Sequence, residues 1–175
     1  MKIILLEDFL HHQDFYIDEA KAGKIFVYPT DTIYGIGGIY TPENVEKIFT
    51  IKQRDEKKIF SIIAPNFEWI EKNYPEADIE TLKKYLETHH GVTYIFSYEQ
   101  PGVRIIKHSI QKFVEALGEP FITTSCNISG EPIVIDVKNI PEEIASKVEY
   151  IIDGGIGGGK PSVLIDLVSD KIIER

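Results

Sequence analysis

Basic residues are in short supply. Lysine and arginine number 19 against 28 aspartates and glutamates, leaving a net charge of −9. So acidic a chain repels polyanions. That argues against broad, nonspecific nucleic-acid binding and leaves room for a local basic pocket. Cysteine is reduced to one residue, Cys126, so no internal disulfide can form. That fits a reducing compartment. Long apolar runs are missing as well. The opening MKIILLEDFLHH has only four apolar residues in a row before Glu7, too few for a signal peptide or a membrane span. No later run could cross a bilayer, so the expected location is the cytoplasm, with no membrane partner. Internal repeats and low-complexity tracts are absent too.

What remains is ordinary globular material. The 175 residues are 43% hydrophobic and 27% charged, enough for a real core in one domain spanning residues 1–175. Asp14 to Ala22 reads as a helix stopped by Gly23, and KIFVY follows as a central strand. Thr41-Pro42 predicts a helix start, with Thr41 as N-cap and Pro42 in the first turn, ending near Lys52. IFSIIAP, VTYIFSY, GVRII, PFITTS and YIIDGG read as strands, and SVLIDLVSDKIIE as a hairpin about Ser169-Asp170. Glu68 to Asn73 and Asp78 to His89 look helical. Ser109 is expected to cap a further helix, which Gly118 ends. Strands and helices are interspersed without strict alternation. The expected fold is therefore α/β (α+β), a twisted mixed parallel and antiparallel sheet with helices packed around it.

Several stretches carry candidate chemistry. VYPTDTIYGIGG leaves a strand through Thr30, Asp31 and Thr32, then loosens at Gly35, Gly37 and Gly38. IKQRDEKK gathers Lys52, Arg54, Lys57 and Lys58 just past a helix end. It is either a solvated charge run or a phosphate clamp, and the run alone favours the first. Arg104 in GVRIIKH either alternates outward to solvent or points at an anion. ITTSCNISGEP packs Thr123, Thr124, Ser125, Asn127 and Ser129 at a strand end, where hydroxyls more often bind phosphate or a polar ligand. No nucleophile elbow surrounds Ser125, so covalent catalysis is a poor reading. The histidine pairs lack partners at zinc spacing, so no metal site is expected. Walker and Rossmann fingerprints are absent. DGGIGGGKPS, with five glycines in ten residues, is either a linker or a flap over a site.

Taken in order, YPTDTIYGIGG, KQR with a lysine four residues after its arginine, GVR, TTSCNISGEP, GGKPS and the final IIER resemble the YrdC-like family, the threonylcarbamoyl-AMP synthases. The resemblance runs from about Ala20 to the end. It implies a concave, cationic cavity and a nucleotidyltransferase that joins L-threonine, bicarbonate and ATP, with Mg2+ on the phosphates, and releases pyrophosphate. It implies Lys52, Arg54 and Arg104 as catalytic groups. Threonine would contact Thr32, Arg104, Thr123 and Ser162. The nucleotide would contact Lys52, Arg54, Lys58, Ser125, Asn127 and Arg175. The downstream partner would be a tRNA threonylcarbamoyl-transfer complex, with weak tRNA binding by the chain itself. The length resembles the single-domain branch of the family.

The chain departs from the family pattern in places. Ile59 follows Lys58 where proline or glycine is usual, and SCN replaces SAN at Cys126. HHGVTYIF stands where a Pro-Gly-Pro is usual. SYEQP before GVR is short, so no nucleotide contact is carried over from there. Two other readings stand beside the enzyme: an RNA-binding module, and a paralogue that keeps the fold without the chemistry.

Overall fold

The computed structural model describes residues 1–53 and 60–174. In chain order the described elements are β1 (Lys2–Leu5), α1 (Leu6–His11), α2 (Gln13–Lys21), β2 (Phe26–Tyr28), β3 (Gly35–Gly37), α3 (Pro42–Lys52), β4 (Ser61–Ile63), α4 (Phe67–Asn73) and α5 (Ile79–Thr88). There follow β5 (Val92–Ile95), β6 (Gly102–Arg104), α6 (Ile110–Leu117), β7 (Phe121–Ser125), a 3-10 turn (Val137–Asn139), α7 (Glu142–Ala145), β8 (Tyr150–Asp153), β9 (Val163–Asp166) and β10 (Lys171–Ile173).

The strands form one sheet in the order β1-β8-β2-β3-β7-β4-β6-β5-β9-β10. The pairs β1·β8, β2·β8, β4·β6 and β5·β9 are parallel, and the other neighbours are antiparallel. The expected mixed sheet is therefore present.

β2 is apolar and buried at every position because both its faces are covered. Successive side chains point to opposite faces. On β2, Phe26 and Tyr28 join a cluster with Phe9, Phe113 and Phe121, while Val27 joins Ile36, Ile48 and Ile122 on the other side. On β8, Tyr150 and Ile152 go one way and Ile151 the other. A third cluster, with Ile62, Leu82, Tyr94, Val103 and Ile165, lies under α4 and α5.

Local signals explain several helix ends. The Thr41 side chain accepts the Asn44 N–H at 3.3 Å, with Pro42 in the first turn. Asn66 and Asp78 cap α4 and α5 in the same way. Gly118 closes α6 at φ +73°. Ser109 does not do what the sequence suggests. Its backbone is already helical at φ −61°, ψ −22°, and its side chain makes no capping bond. His108 Nδ1 accepts the Ile110 N–H at 3.3 Å instead.

Two strands are missing from the sequence reading. β1 is an edge strand that leaves Ile3 and Leu5 exposed, so it shows no core-facing alternation. β3 is Gly-Ile-Gly. Its glycines do not loosen the chain: a Cβ on Gly37 would lie 1.7 Å from the Ile122 carbonyl oxygen. Close passage of backbone demands glycine there, and composition hides the strand.

Candidate functional site

Five strands from the middle of the sheet, β3, β7, β4, β6 and β5, bring side chains to a cavity of about 200 Å3. Its walls include Thr32 and Thr30 from the β2–β3 connection and Thr123 and Ser125 from β7. Thr93 comes from β5, Arg104 from β6, and Ser162 from the end of the glycine-rich loop. Of the residues singled out in the sequence, Thr32, Arg104, Thr123, Ser125 and Ser162 therefore meet in one place.

Arg104 does not alternate to solvent. It is only 7% exposed. All three β6 residues are buried, because both faces of the sheet are covered there, and Arg104 points into the cavity. The Arg104 Nη2 donates to Asp31 Oδ1 at 2.7 Å and to Thr32 Oγ1 at 3.4 Å. Asp31 Oδ2 accepts the Lys107 backbone N–H at 3.0 Å. The Arg104 Nε is buried and has no hydrogen-bond partner. An unmatched buried donor on a cation is costly, roughly 1–3 kcal/mol or more, and an anion is what would match it.

The threonine hydroxyls are ordered. Thr30 Oγ1 donates to the Ile33 carbonyl at 2.7 Å and accepts the Thr32 N–H at 3.1 Å. With its only proton spent, Thr30 Oγ1 must accept in the 2.9 Å contact with Thr32 Oγ1. Thr32 Oγ1 therefore has only lone pairs left to offer, which suits a ligand N–H or O–H. Across the cavity, Thr93 Oγ1 and Ser162 Oγ lie 2.7 Å apart.

The turn after β7 forms the second polar group. Ser125 Oγ donates to Asn127 Oδ1 at 2.6 Å, and Asn127 Nδ2 donates to the Glu131 carbonyl at 2.6 Å. Lys52 reaches this turn from the last residue of α3. It is 1% exposed, and its ammonium donates to the Ser125 carbonyl, to the Asn127 carbonyl at 2.6 Å and to Asn127 Oδ1 at 3.3 Å. So Lys52 is not part of a solvated charge run. It braces the turn and places its charge directly behind Ser125 and Asn127. Arg54, Lys57, Lys58 and Arg175, also singled out in the sequence, lie outside the described residues. Cys126 is sealed beneath, and burial pushes its thiol up to about 12, partly offset by Lys52, so it is not a nucleophile. The Ser125 hydroxyl proton is held by Asn127, an amide that takes no proton away.

The glycine-rich segment is tied down beside the cavity. The Tyr34 hydroxyl donates to the Gly155 carbonyl at 2.8 Å and accepts the Gly154 N–H at 3.0 Å. Gly157 donates to the Ile135 carbonyl at 2.8 Å. Pro161 and Ser162 then turn into the cavity wall. A wider groove of about 640 Å3, lined by Gln53, Glu131 and Asn139 among others, meets the cavity at Ile133.

The sequence pointed to the stretch that holds Asp31 and Tyr34 but gave neither a role, and it passed over Thr93. Thr93 looked like ordinary strand alternation. Asp31 carried a signal, since an acid between two threonines after a proline is unusual at a strand end. Among the described residues no three His, Cys, Asp or Glu side chains gather to hold a metal ion.

The fold and site thus define an α/β protein with a small, hydroxyl-lined cavity built around a buried arginine. Comparison with known proteins gives the family. A sequence-family profile, Sua5/YciO/YrdC, described as telomere recombination, matches residues 18–175. The chain belongs to the Sua5/YciO/YrdC family. A relative from Pseudoalteromonas translucida named threonylcarbamoyl-AMP synthase is 26% identical over 170 residues, 86% of this chain and 90% of its own. The structure of P. abyssi Sua5 complexed with L-threonine matches 98% of this chain at 27% identity and a TM-score of 0.82. This chain spans 56% of that longer one. The E. coli YciO structure matches with a TM-score of 0.79 at 25% identity, over 99% of this chain and 93% of its own.

Proposed function

We propose that the chain is an L-threonylcarbamoyladenylate synthase, a nucleotidyltransferase that makes threonylcarbamoyl-AMP from L-threonine, bicarbonate and ATP and supplies it for tRNA modification. The observation that carries this reading is the buried Arg104 with its unmatched Nε in a cavity of amino-acid size. About 200 Å3 is below the roughly 300–1,000 Å3 of drug-sized sites. Relatives of the same length carry the activity by name, and a structural match holds L-threonine.

Arg104 receives the threonine carboxylate. The amine lies toward the accepting Thr32 Oγ1, and Thr123 and Ser162 close the far side. The amine attacks bicarbonate, a C–N bond forms and water leaves. A carbamate oxygen then attacks the ATP α-phosphorus, and the bond to the bridging oxygen breaks to release pyrophosphate. No side chain bonds to the substrate. The protein holds three anions together and offsets their repulsion, which is where such catalysis gains most. The nucleotide lies against Ser125 and Asn127, with the Lys52 charge behind them, and extends into the groove beyond Ile133. Arg54, Lys58 and Arg175 complete the phosphate contacts in this reading. The described side chains offer no cage for magnesium. Mg2+ would therefore ride on the phosphates and waters rather than on protein carboxylates.

The continuous sheet supports one domain over 1–175. Work in the cytoplasm suits these substrates. Among the described residues no helix is long and apolar enough to cross a membrane. The product passes to a tRNA threonylcarbamoyl-transfer complex, and direct contact with tRNA is weak because of the −9 charge. Incubation with ATP, magnesium, L-threonine and isotopically labelled bicarbonate tests the reading. A labelled threonine–carbonyl–AMP adduct in the mass spectrum is expected. AMP without the adduct, or no turnover by folded protein, overturns it.

A further inference from the structure

We propose that Asp31 is a positioning residue that acts through Arg104 and sets the affinity of the cavity for its carboxylate ligand. The proposal rests on the reading of that ligand as L-threonine. Asp31 and Arg104 form a 2.7 Å ion pair with side chains only 5% and 8% exposed. The pair is not a surface contact loosened by water and salt.

The two carboxylate oxygens serve two different donors. Oδ1 takes the guanidinium Nη2, and Oδ2 takes the Lys107 backbone N–H at 3.0 Å. The Lys107 ammonium in turn donates to the His89 carbonyl at 3.0 Å. The chain just beyond β6 is thus braced from both sides, and the guanidinium is held at one end. The Nε beside Nη2, on the same edge of the guanidinium, is unmatched and keeps hydrogen-bonding capacity. Gly91 closes the back of this arrangement. A Cβ there would lie 2.3 Å from Thr32 Cγ2, 3.4 Å from Arg104 Nη2 and 3.6 Å from Asp31 Oδ1. Glycine at 91 leaves space beside the guanidinium, so its orientation is fixed by burial and by its bonds to Asp31 and Thr32. A bidentate anion contact depends on such fixed geometry.

Asparagine is the informative replacement. It matches aspartate in shape but has one accepting oxygen. It can hold either the Arg104 Nη2 or the Lys107 N–H, and its own N–H2 opposes the other donor. Asp31→Asn must therefore release one of the two braces.

The experiment is a double-mutant cycle on ligand affinity, read by calorimetry with L-threonine, L-serine, glycine and acetate. The proteins are wild type, Asp31→Asn, Arg104→Gln and the double variant. Asp31→Asn is expected to weaken L-threonine binding at least tenfold in the wild-type background, and less than twofold once Arg104 is glutamine. In turnover, the half-saturating threonine concentration rises while that of ATP stays put. Equal losses in both backgrounds, unchanged affinity, or parallel rises for threonine and ATP overturn the proposal while leaving the threonine reading standing. A wild-type protein that binds none of the four ligands overturns both. If Asp31→Asn does not fold, Asp31→Glu makes the same test. It keeps the charge but displaces the carboxylate by one methylene, and wild-type affinity in that variant overturns the proposal.

Discussion

At the scale of the residue, the decisive balance is between one buried cation and its surroundings. Removing Arg104 strands Asp31 in a site where its side chain is 5% exposed. A buried charge that loses its partner costs about 3–5 kcal/mol. Arg104→Ala is therefore expected to abolish turnover and also to lower the melting midpoint by roughly 6–20 °C, at about 2–4 °C per kcal/mol for a chain of this size. A scan with and without L-threonine checks both, because wild type should be raised by the ligand and the variant should not. Gly91 is the second such residue. It sits at φ +63°, with its missing Cβ 2.3 Å from Thr32 Cγ2. Gly91→Ala should cost more than about 1 kcal/mol for the backbone alone, and overpacking adds about 1–3 kcal/mol. Urea unfolding measures the sum. A cost below 1 kcal/mol would show that the Thr32 wall yields easily.

At the scale of the element, one carboxylate, that of Asp166, ties the β9–β10 turn together. Asp166 Oδ1 accepts the Val168 and Ser169 N–H groups at 3.0 and 3.1 Å. Oδ2 accepts the Ser169 and Tyr98 hydroxyls at 2.6 and 2.9 Å. These bonds, that of the Ser169 hydroxyl first, hold its carboxyl down from 3.8 to about 2. Because the folded value lies below the unfolded one, the stabilisation is complete above 3.8 and disappears as the pH falls through about 2. The Val168 and Ser169 amide resonances should shift across that window in wild type and stay flat in Asp166→Asn. Flat wild-type resonances would remove Asp166 from the turn. The same hairpin was legible in the sequence, since Ser169-Asp170 stands between two alternating runs and Asp170 takes φ +53°. Helix boundaries with side-chain caps, such as Thr41 and Asp78, were legible for the same local reason. β3 was not, because what specifies it is the Ile122 carbonyl passing 1.7 Å from where a Gly37 Cβ would be. That neighbour lies 85 residues away in the chain. Ser109 misled because His108 offered a competing acceptor one residue earlier.

At the scale of the whole molecule, an acidic protein buries an arginine in its cavity wall and a lysine behind it. The net charge of −9 coexists with Arg104 and Lys52 buried at its centre, and their charges are hidden from the surface. Composition could show the first and not the second. The motif residues Thr32, Arg104, Thr123, Ser125 and Ser162 were legible as a set, yet no spacing rule says that they meet. The strand order β3-β7-β4-β6-β5 does that, and it is a long-range property. Lys52 was legible as a member of the site but not as the brace beneath the β7 turn, because burial of an ammonium is set by the carbonyls around it. Asp31 needed the structure, since its partners are 73 and 76 residues further along.

The central claim is that this cavity commits ATP to chemistry only when L-threonine is seated in it. The most direct measurement is pyrophosphate release from ATP by the purified protein with bicarbonate and magnesium, with L-threonine, L-serine, glycine or no amino acid. Release that requires L-threonine, and falls at least tenfold with serine or glycine at equal concentration, is the predicted result. Equal release with or without the amino acid, or none from folded protein, would contradict the account.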